Sequence, residues 1–234
     1  MFHVEHQNMI RHITTSDSEQ LKKILRECFT QDEDYLTLFV EKCPVKDGLC
    51  YEKEGQIVSV LFTFPIEYIS EKTTPEGYHI SYKGLYVYGV CTSPEWRRNN
   101  FSTELMEFLK SEATALKLDF LLLRPSESDP KLMRHYMKAG FKIPVWKRDN
   151  QPAFDIPANI INESPHLLFL KRLKFYGGNF FQWSPSILSY IIKEAQLNTS
   201  QMEEYSKSVY LLACPLCDSF ILDNDTPAFA YPME

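Results

Sequence analysis

The chain has 234 residues, enough for one large domain or for a core domain with an extension. Its hydrophobic content of 44% and charged content of 24% suit a globular protein with a real core, and the net charge is −6. That acidic balance argues against nucleic acid or an anionic membrane as a main partner, and no run approaches the roughly 20 apolar residues of a membrane span.

Residues 1–8 read as a flexible extension ahead of Met9. The opening MFHVEHQNMI has no basic segment followed by an apolar one, so it does not read as a secretory signal, and a cytoplasmic protein is expected. Residues 10–13 predict a short strand. Ser16 and Glu19 have the spacing of a capping box. Leu21, Ile24, Leu25, Cys28 and Phe29 then fall on one helical face. Asp32 and Asp34 open a second helix with Leu36, Phe39 and Val40 inward.

Residues 49–53 and 56–64 predict two strands joined at Glu54-Gly55. Residues 66–71 and 78–82 flank a second turn at Pro75-Glu76-Gly77. Tyr82, Tyr86 and Tyr88 crowd one region, either as pocket lining or as ordinary strand tyrosines.

Residues 84–110, GLYVYGVCTSPEWRRNNFSTELMEFLK, read as strand, loop and helix. Residues 85–91 are rich in Val, Tyr and Leu, and Pro94 ends the strand because it has no N–H for a ladder. Leu105, Phe108, Leu109, Ala113 and Leu116 recur at helical spacing. A loop entering a helix start aims free N–H groups at one point, where the helix dipole favours an anion. Arg97 and Arg98 add positive charge suited to phosphate. The local chemistry is that of a pyrophosphate or carboxylate site; the alternative is an ordinary basic turn.

The order VCTSPEWRRNNFS resembles the acyl-CoA loop of the GNAT acyltransferases. That pattern is a strand, a Pro-x-aromatic-Arg step, then Arg/Gln-x-x-Gly-x-Gly/Ala opening a helix. Arg97 matches the first position. Asn100 stands where the first glycine belongs, Ser102 where the second small residue belongs, and Arg98 where many members carry a further glycine. Asparagine tolerates a left-handed φ, and serine is small and adds a hydroxyl donor.

After the central helix, residues 119–123 (DFLLL) predict a strand buried on both faces, reached by a right-handed parallel crossover. Asp129 and Pro130 start a helix carrying Leu132, Met133, Tyr136 and Met137; Gly140 ends it and residues 141–145 follow as a strand. Tyr136-Met-Lys-Ala-Gly140-Phe141 resembles the Tyr-x-x-x-Gly-Phe step of GNAT proteins. There the tyrosine hydroxyl often serves as general acid toward the leaving CoA thiolate. The alternative is a tyrosine that only packs its ring.

The resemblance covers about residues 9–147. It implies an α/β (α+β) GNAT fold, a central mixed twisted sheet flanked by helices, with a core over residues 9–149. Residues 150–234 are expected to form a C-terminal α/β extension that completes the sheet, covers the acceptor site or makes a dimer face. Strands are expected at 179–183, 209–213 and 219–222, and helices at 166–175 and from Ser184 onward. The phrases LKKILRECFTQDEDYLTLF, YVYGVCTSPEWRR and YMKAGF look closest to the enhanced-intracellular-survival-type aminoglycoside acetyltransferases.

The implied activity is transfer of acetyl from acetyl-CoA to a primary amine by direct attack. By the resemblance, the backbone of Val90, Cys91 and Thr92 pairs with the pantetheine arm and supplies an oxyanion donor. Arg97, Arg98, Asn99, Asn100, Phe101, Ser102 and Thr103 hold the pyrophosphate, and Tyr136 protonates the thiolate. A base must keep the amine neutral; Glu67 is the candidate, with the terminal carboxylate of Glu234 as a second. The acceptor is open among small amines, aminoglycosides, peptide N-termini and lysine. A rival reading is a GNAT-fold binding or regulatory protein without turnover, supported by the missing loop glycines. The distinguishing feature is a positive φ at Asn100 with the loop N–H groups convergent.

Six cysteines are present, and with no export signal they are expected to be reduced. Cys214-Pro-Leu-Cys217 is a lone CxxC without further zinc ligands, so no metal is expected, a zinc or redox module being the alternative.

Overall fold

A computed structural model describes residues 9–29, 33–42, 47–125, 130–146, 180–183, 187 and 210–220. Among these residues eight strands belong to a mixed sheet flanked by helices. The chain divides into two compact units, residues 1–64 with 87–112 and residues 65–86 with 113–234. The long strands β3 (Gln56–Thr73) and β4 (His79–Thr92) contribute to both.

In the first unit β1 (Met9–His12) pairs antiparallel with β2 (Gly48–Lys53), Ile10 opposite Tyr51. Strand β2 pairs antiparallel with β3, Cys50 opposite Val60. Their two-residue connection has φ 54° at Glu54 and 76° at Gly55, the type I′ geometry that matches strand twist. Helix α1 (Ser18–Cys28) buries Leu21, Ile24 and Leu25. The predicted Ser16–Glu19 cap is replaced two residues earlier by Thr14 and Asp17: the Thr14 N–H donates to Asp17 Oδ2 at 2.7 Å. The reason is electrostatic. Arg11 reaches Asp17 through two nitrogens, at 2.8 and 2.9 Å, and Glu52 through Nε at 2.8 Å, so Asp17 is the carboxylate fixed at the helix start.

Helix α2 (Glu33–Thr37) runs into a π-turn at Leu38–Lys42, with Tyr35, Leu36, Phe39 and Val40 buried. Helix α3 (Phe101–Ala115) buries Leu105, Met106, Leu109 and Ala113. Phe108 and Leu116, expected on that face, are exposed; Met106 takes the inward position instead.

Two predicted breaks are absent. Residues 56–64 and 66–71 are predicted as separate strands, yet β3 runs through Pro65 between them. On one side of Pro65, residues 56–62 pair with β2; on the other, residues 66–69 pair with β7 (Phe180–Trp183). The missing proline N–H falls between two ladders, where none is required. Likewise residues 78–82 and 85–91 merge into β4 across Gly84. A Cβ at Gly84 would lie 2.6 Å from the Phe120 ring and carbonyl, so this glycine marks close approach to β5 (Phe120–Leu123).

In the second unit β4 is followed in the sheet by β5, β8 (Tyr210–Pro215) and β6 (Ile143–Trp146). The connection from β4 to its neighbour β5 runs through helix α3. Strand β8 is antiparallel to both its neighbours, Ala213 facing Leu122 and Ile143. Tyr68, Tyr82, Phe120, Phe181 and Phe220 form the aromatic core, with Phe120 stacked on Phe220 at 4.6 Å. Tyr82 therefore belongs to this cluster, whereas Tyr88 packs on Phe39 and Phe64 in the first unit.

Ser219 and Phe220 lie in a turn after β8 rather than in a strand. The helix expected at 166–175 and residues 221–222 lie outside the described residues, as does the helix from Ser184 apart from Ile187.

Candidate functional site

From Val87 onward the strand–loop–helix run lies within the first unit. Strand β4 ends at Thr92, Pro94–Trp96 make a 3-10 turn, and α3 starts at Phe101. Between them Arg98 has φ 71° and Asn100 has φ 62°. Two non-glycine residues in the left-handed region within four positions are strained, each by roughly 1–2 kcal/mol except where asparagine eases it. Such strain persists only where surrounding contacts enforce it.

Those contacts are present on both sides of the loop. Ser93 N–H donates to Val58 O at 3.0 Å, and Ser93 Oγ donates to Glu27 at 2.8 Å. Lys53 Nζ sits 4.8 Å from the centre of the Trp96 ring, a cation–π contact, and Tyr51 stacks on Phe101 at 4.2 Å. Asn99 Nδ2 donates to Trp96 O at 3.0 Å. Arg97 Nε donates to Thr92 O at 3.2 Å, closing the loop on the strand it leaves.

The first helical hydrogen bond of α3 is Glu104 N–H to Asn100 O, 3.0 Å. The N–H groups of Phe101, Ser102 and Thr103 precede it and have no acceptor among the described residues. Arg97 through Asn100 are exposed, and the Arg98 side chain makes no ion pair or hydrogen bond among the described residues. The result is a helix N-terminus with three unsatisfied donors beside two guanidinium groups. Its chemistry suits a polyanion.

On the strand side, Val90 and Thr92 are half-buried and Cys91 is buried. Cys91 O accepts from Ser59 Oγ at 3.0 Å, and the Ser59 and Thr92 hydroxyls are 2.8 Å apart. Gly89 has φ 60° inside β4, and a Cβ there would approach Phe62 to 3.0 Å. A left-handed residue within a strand turns the carbonyls that follow it, as a bulge does.

The two catalytic candidates lie in the second unit. Tyr136, on α4 (Pro130–Lys138), is buried with its ring edge-on to Phe141 at 6.2 Å. The helix ends in a Schellman arrangement, Phe141 N–H to Tyr136 O at 3.1 Å and Gly140 N–H to Met137 O at 3.2 Å. Glu67 is half-buried on β3, opposite Gln182 of β7. The structure thus joins Val90–Thr92 and Arg97–Thr103 in one continuous feature, with Tyr136 and Glu67 on the other unit. Glu234 lies outside the described residues. Cys217 Sγ contacts Asp119 Oδ1 at 3.4 Å and Ser219 Oγ at 3.1 Å.

Three contributors to the loop carry no local signal of that role: Gly89, Lys53, and Cys28, whose Sγ donates to Thr92 O at 3.4 Å. An isolated glycine within a strand pattern signals a bulge at Gly89, not a part in the loop. Lys53 and Cys28 reach the loop only through tertiary packing.

The sequence model of the Acetyltransferase (GNAT) domain family matches residues 9–143, more than half of the chain. The chain belongs to the GNAT acetyltransferases. Acyl transfer is the chemistry of that family, and the matched region contains the loop, Glu67 and Tyr136. Similar solved structures include a GCN5-related N-acetyltransferase from Anabaena variabilis, 15% identical, TM-score 0.57, covering 77% of this chain and 46% of that one. Another, from Kribbella flavida, is 13% identical with TM-score 0.55, covering 82% and 50%. Ard1 from Thermoplasma volcanium is 13% identical with TM-score 0.50, covering 90% and 99%. At these identities the likeness is one of fold. The chain spans about half the length of the first two relatives. No curated protein matches the sequence.

Proposed function

We propose that this GNAT chain transfers acetyl from acetyl-CoA to a primary amine, with the loop at residues 97–103 holding the pyrophosphate. The observation that carries the reading is the backbone of Arg98 and Asn100. Both adopt the left-handed conformation at positions where the family pattern has glycine. The loop keeps the glycine shape without the glycines.

Acetyl-CoA supplies an acyl group already activated as a thioester, so the chain's own work is to bind, orient and move protons. The N–H groups of Phe101, Ser102 and Thr103 and the guanidinium groups of Arg97 and Arg98 hold the pyrophosphate. Hydrogen bonds to a charged group are each worth about 1.5–3 kcal/mol. The backbone of Val90–Thr92 aligns the pantetheine arm. Tyr136 gives a proton to the departing thiolate, and Glu67 takes one from the amine. The acidic surface is compatible with a cationic acceptor.

Calorimetric titration of acetyl-CoA into the purified chain tests this, with Arg97→Ala and Arg98→Ala as controls. Micromolar binding, weakened at least tenfold in either variant, is the expected result. A folded chain that takes up no acetyl-CoA at millimolar concentration overturns the reading.

A further inference from the structure

Lys53 ends β2, Trp96 ends the 3-10 turn after β4, and Phe101 starts α3; all three belong to the first unit. Between Trp96 and Phe101 run Arg97, Arg98, Asn99 and Asn100, left-handed at Arg98 and Asn100. We propose that Lys53 is a positioning residue for this loop: its ammonium stands over the Trp96 and Phe101 rings and holds the two ends of the strained segment together. Its consequence for the ligand rests on the reading of residues 97–103 as the pyrophosphate site.

Lys53 Nζ lies 4.8 Å from the centre of the Trp96 ring and 5.9 Å from that of Phe101, both within the roughly 6 Å over which a ring face attracts a cation. The two rings are 6.4 Å apart. Lys53 Nζ makes no ion pair or hydrogen bond among the described residues, so among these residues the two rings are what its charge meets. The mount is stiff. Lys53 pairs with Gln56 across the type I′ turn at Glu54-Gly55, and β2 is held between β1 and β3. Tyr51 of the same strand stacks on the Phe101 ring at 4.2 Å. Phe101 is thus fixed from β2 by Tyr51 and Lys53, and Lys53 extends that hold to Trp96.

The hydrogen bonds of Asn99 to Trp96 O, 3.0 Å, and of Arg97 to Thr92 O, 3.2 Å, lie on the strand side of the loop. On the helix side the Glu104 N–H donates to Asn100 O. Lys53 joins the two sides. With its charge removed, Trp96 and Phe101 can part, and φ at Arg98 and Asn100 can relax out of the left-handed region. The N–H groups of Phe101, Ser102 and Thr103 then lose their common aim. Lys53 acts through the rings, not on the ligand.

The test is a double-mutant cycle on acetyl-CoA affinity, read by calorimetry on the full chain, with folding checked by circular dichroism. Lys53→Leu keeps an apolar stem and removes the charge; affinity should fall about fivefold. Lys53→Arg, whose guanidinium also stacks on aromatic faces, should restore parental affinity. The Lys53→Leu, Trp96→Leu double variant should bind no more weakly than Trp96→Leu alone. Losses that add would mean that the ammonium attracts the polyanion directly, which overturns the proposal, as does parental affinity in Lys53→Leu. A second measurement needs no ligand. With Trp146→Phe and Trp183→Phe in place, Trp96 is the one tryptophan left. Its quenching by acrylamide should roughly double when Lys53→Leu is added, as the clamp opens. A parent that takes up no acetyl-CoA removes the pyrophosphate reading by itself; unchanged Trp96 quenching removes the clamp.

Discussion

Asn100 carries φ 62° and at the same time accepts the Glu104 N–H at 3.0 Å, so the left-handed loop residue is also the carbonyl from which α3 is hung. Loop shape and helix start are therefore one event. Asn100→Gly keeps the conformation at no steric cost, and acetyl-CoA affinity should stay within about twofold of the parent. Asn100→Val puts a β-branched residue in a region it avoids, costing about 1–2 kcal/mol and about tenfold in affinity. Calorimetry on the two variants separates the cases. Equal binding by both would show that φ at this position does not matter.

Gly89 makes a parallel argument inside β4. Its φ of 60° disfavours any Cβ, and that Cβ would come 3.0 Å from Phe62. Gly89→Ala should lower unfolding free energy by about 1–2 kcal/mol through the left-handed strain alone. If the bulge sets the carbonyls of Val90–Thr92, the apparent KM for acetyl-CoA should rise as well. A stability loss with unchanged KM would confine Gly89 to a folding role.

The loop was legible in the sequence because its chemistry is local: Pro94, Trp96, Arg97 and the helix pattern after Asn100 sit within a few positions. The same locality gave the Glu54-Gly55 hairpin. What was misread depended on partners distant in sequence. Residues 56–64 and 66–71 read as two strands because their ladders go to β2 and β7, which no local pattern shows. The cap at Asp17 was missed because Arg11 and Glu52 select it from outside the helix. Tyr82 and Tyr88 read as neighbours, yet they join different aromatic clusters. Lys53 and Cys28 carry no motif and meet the loop only after folding.

Tyr136 is assigned a proton-transfer role, and Tyr136→Phe removes only its hydroxyl from a buried ring. Thiol release from acetyl-CoA can be followed against an aminoglycoside, a peptide N-terminus and lysine. With whichever amine turns over, kcat should fall about 10²-fold, the usual contribution of a positioned acid. Affinity for acetyl-CoA should not change. A variant with parental kcat would return Tyr136 to a packing role beside Phe141.

Asp17 offers a test of the scaffold that does not involve the reaction. It is 5% exposed, and the Arg11 hydrogen bond, helped by Thr14, holds its carboxyl down to about 2 despite burial. A carboxyl depressed in the folded state stabilises above its unfolded value, near 3.9, and loses that contribution as pH falls toward 2. The shift corresponds to about 2 kcal/mol at neutral pH. Asp17→Asn should therefore unfold at lower urea than the parent at pH 7, by that amount. The gap should narrow below about pH 4 and close only below pH 2, where the parent carboxyl itself becomes protonated. A gap that stays constant from pH 7 to pH 2 would mean that side-chain shape, not the Arg11 pairing, is what the helix start requires.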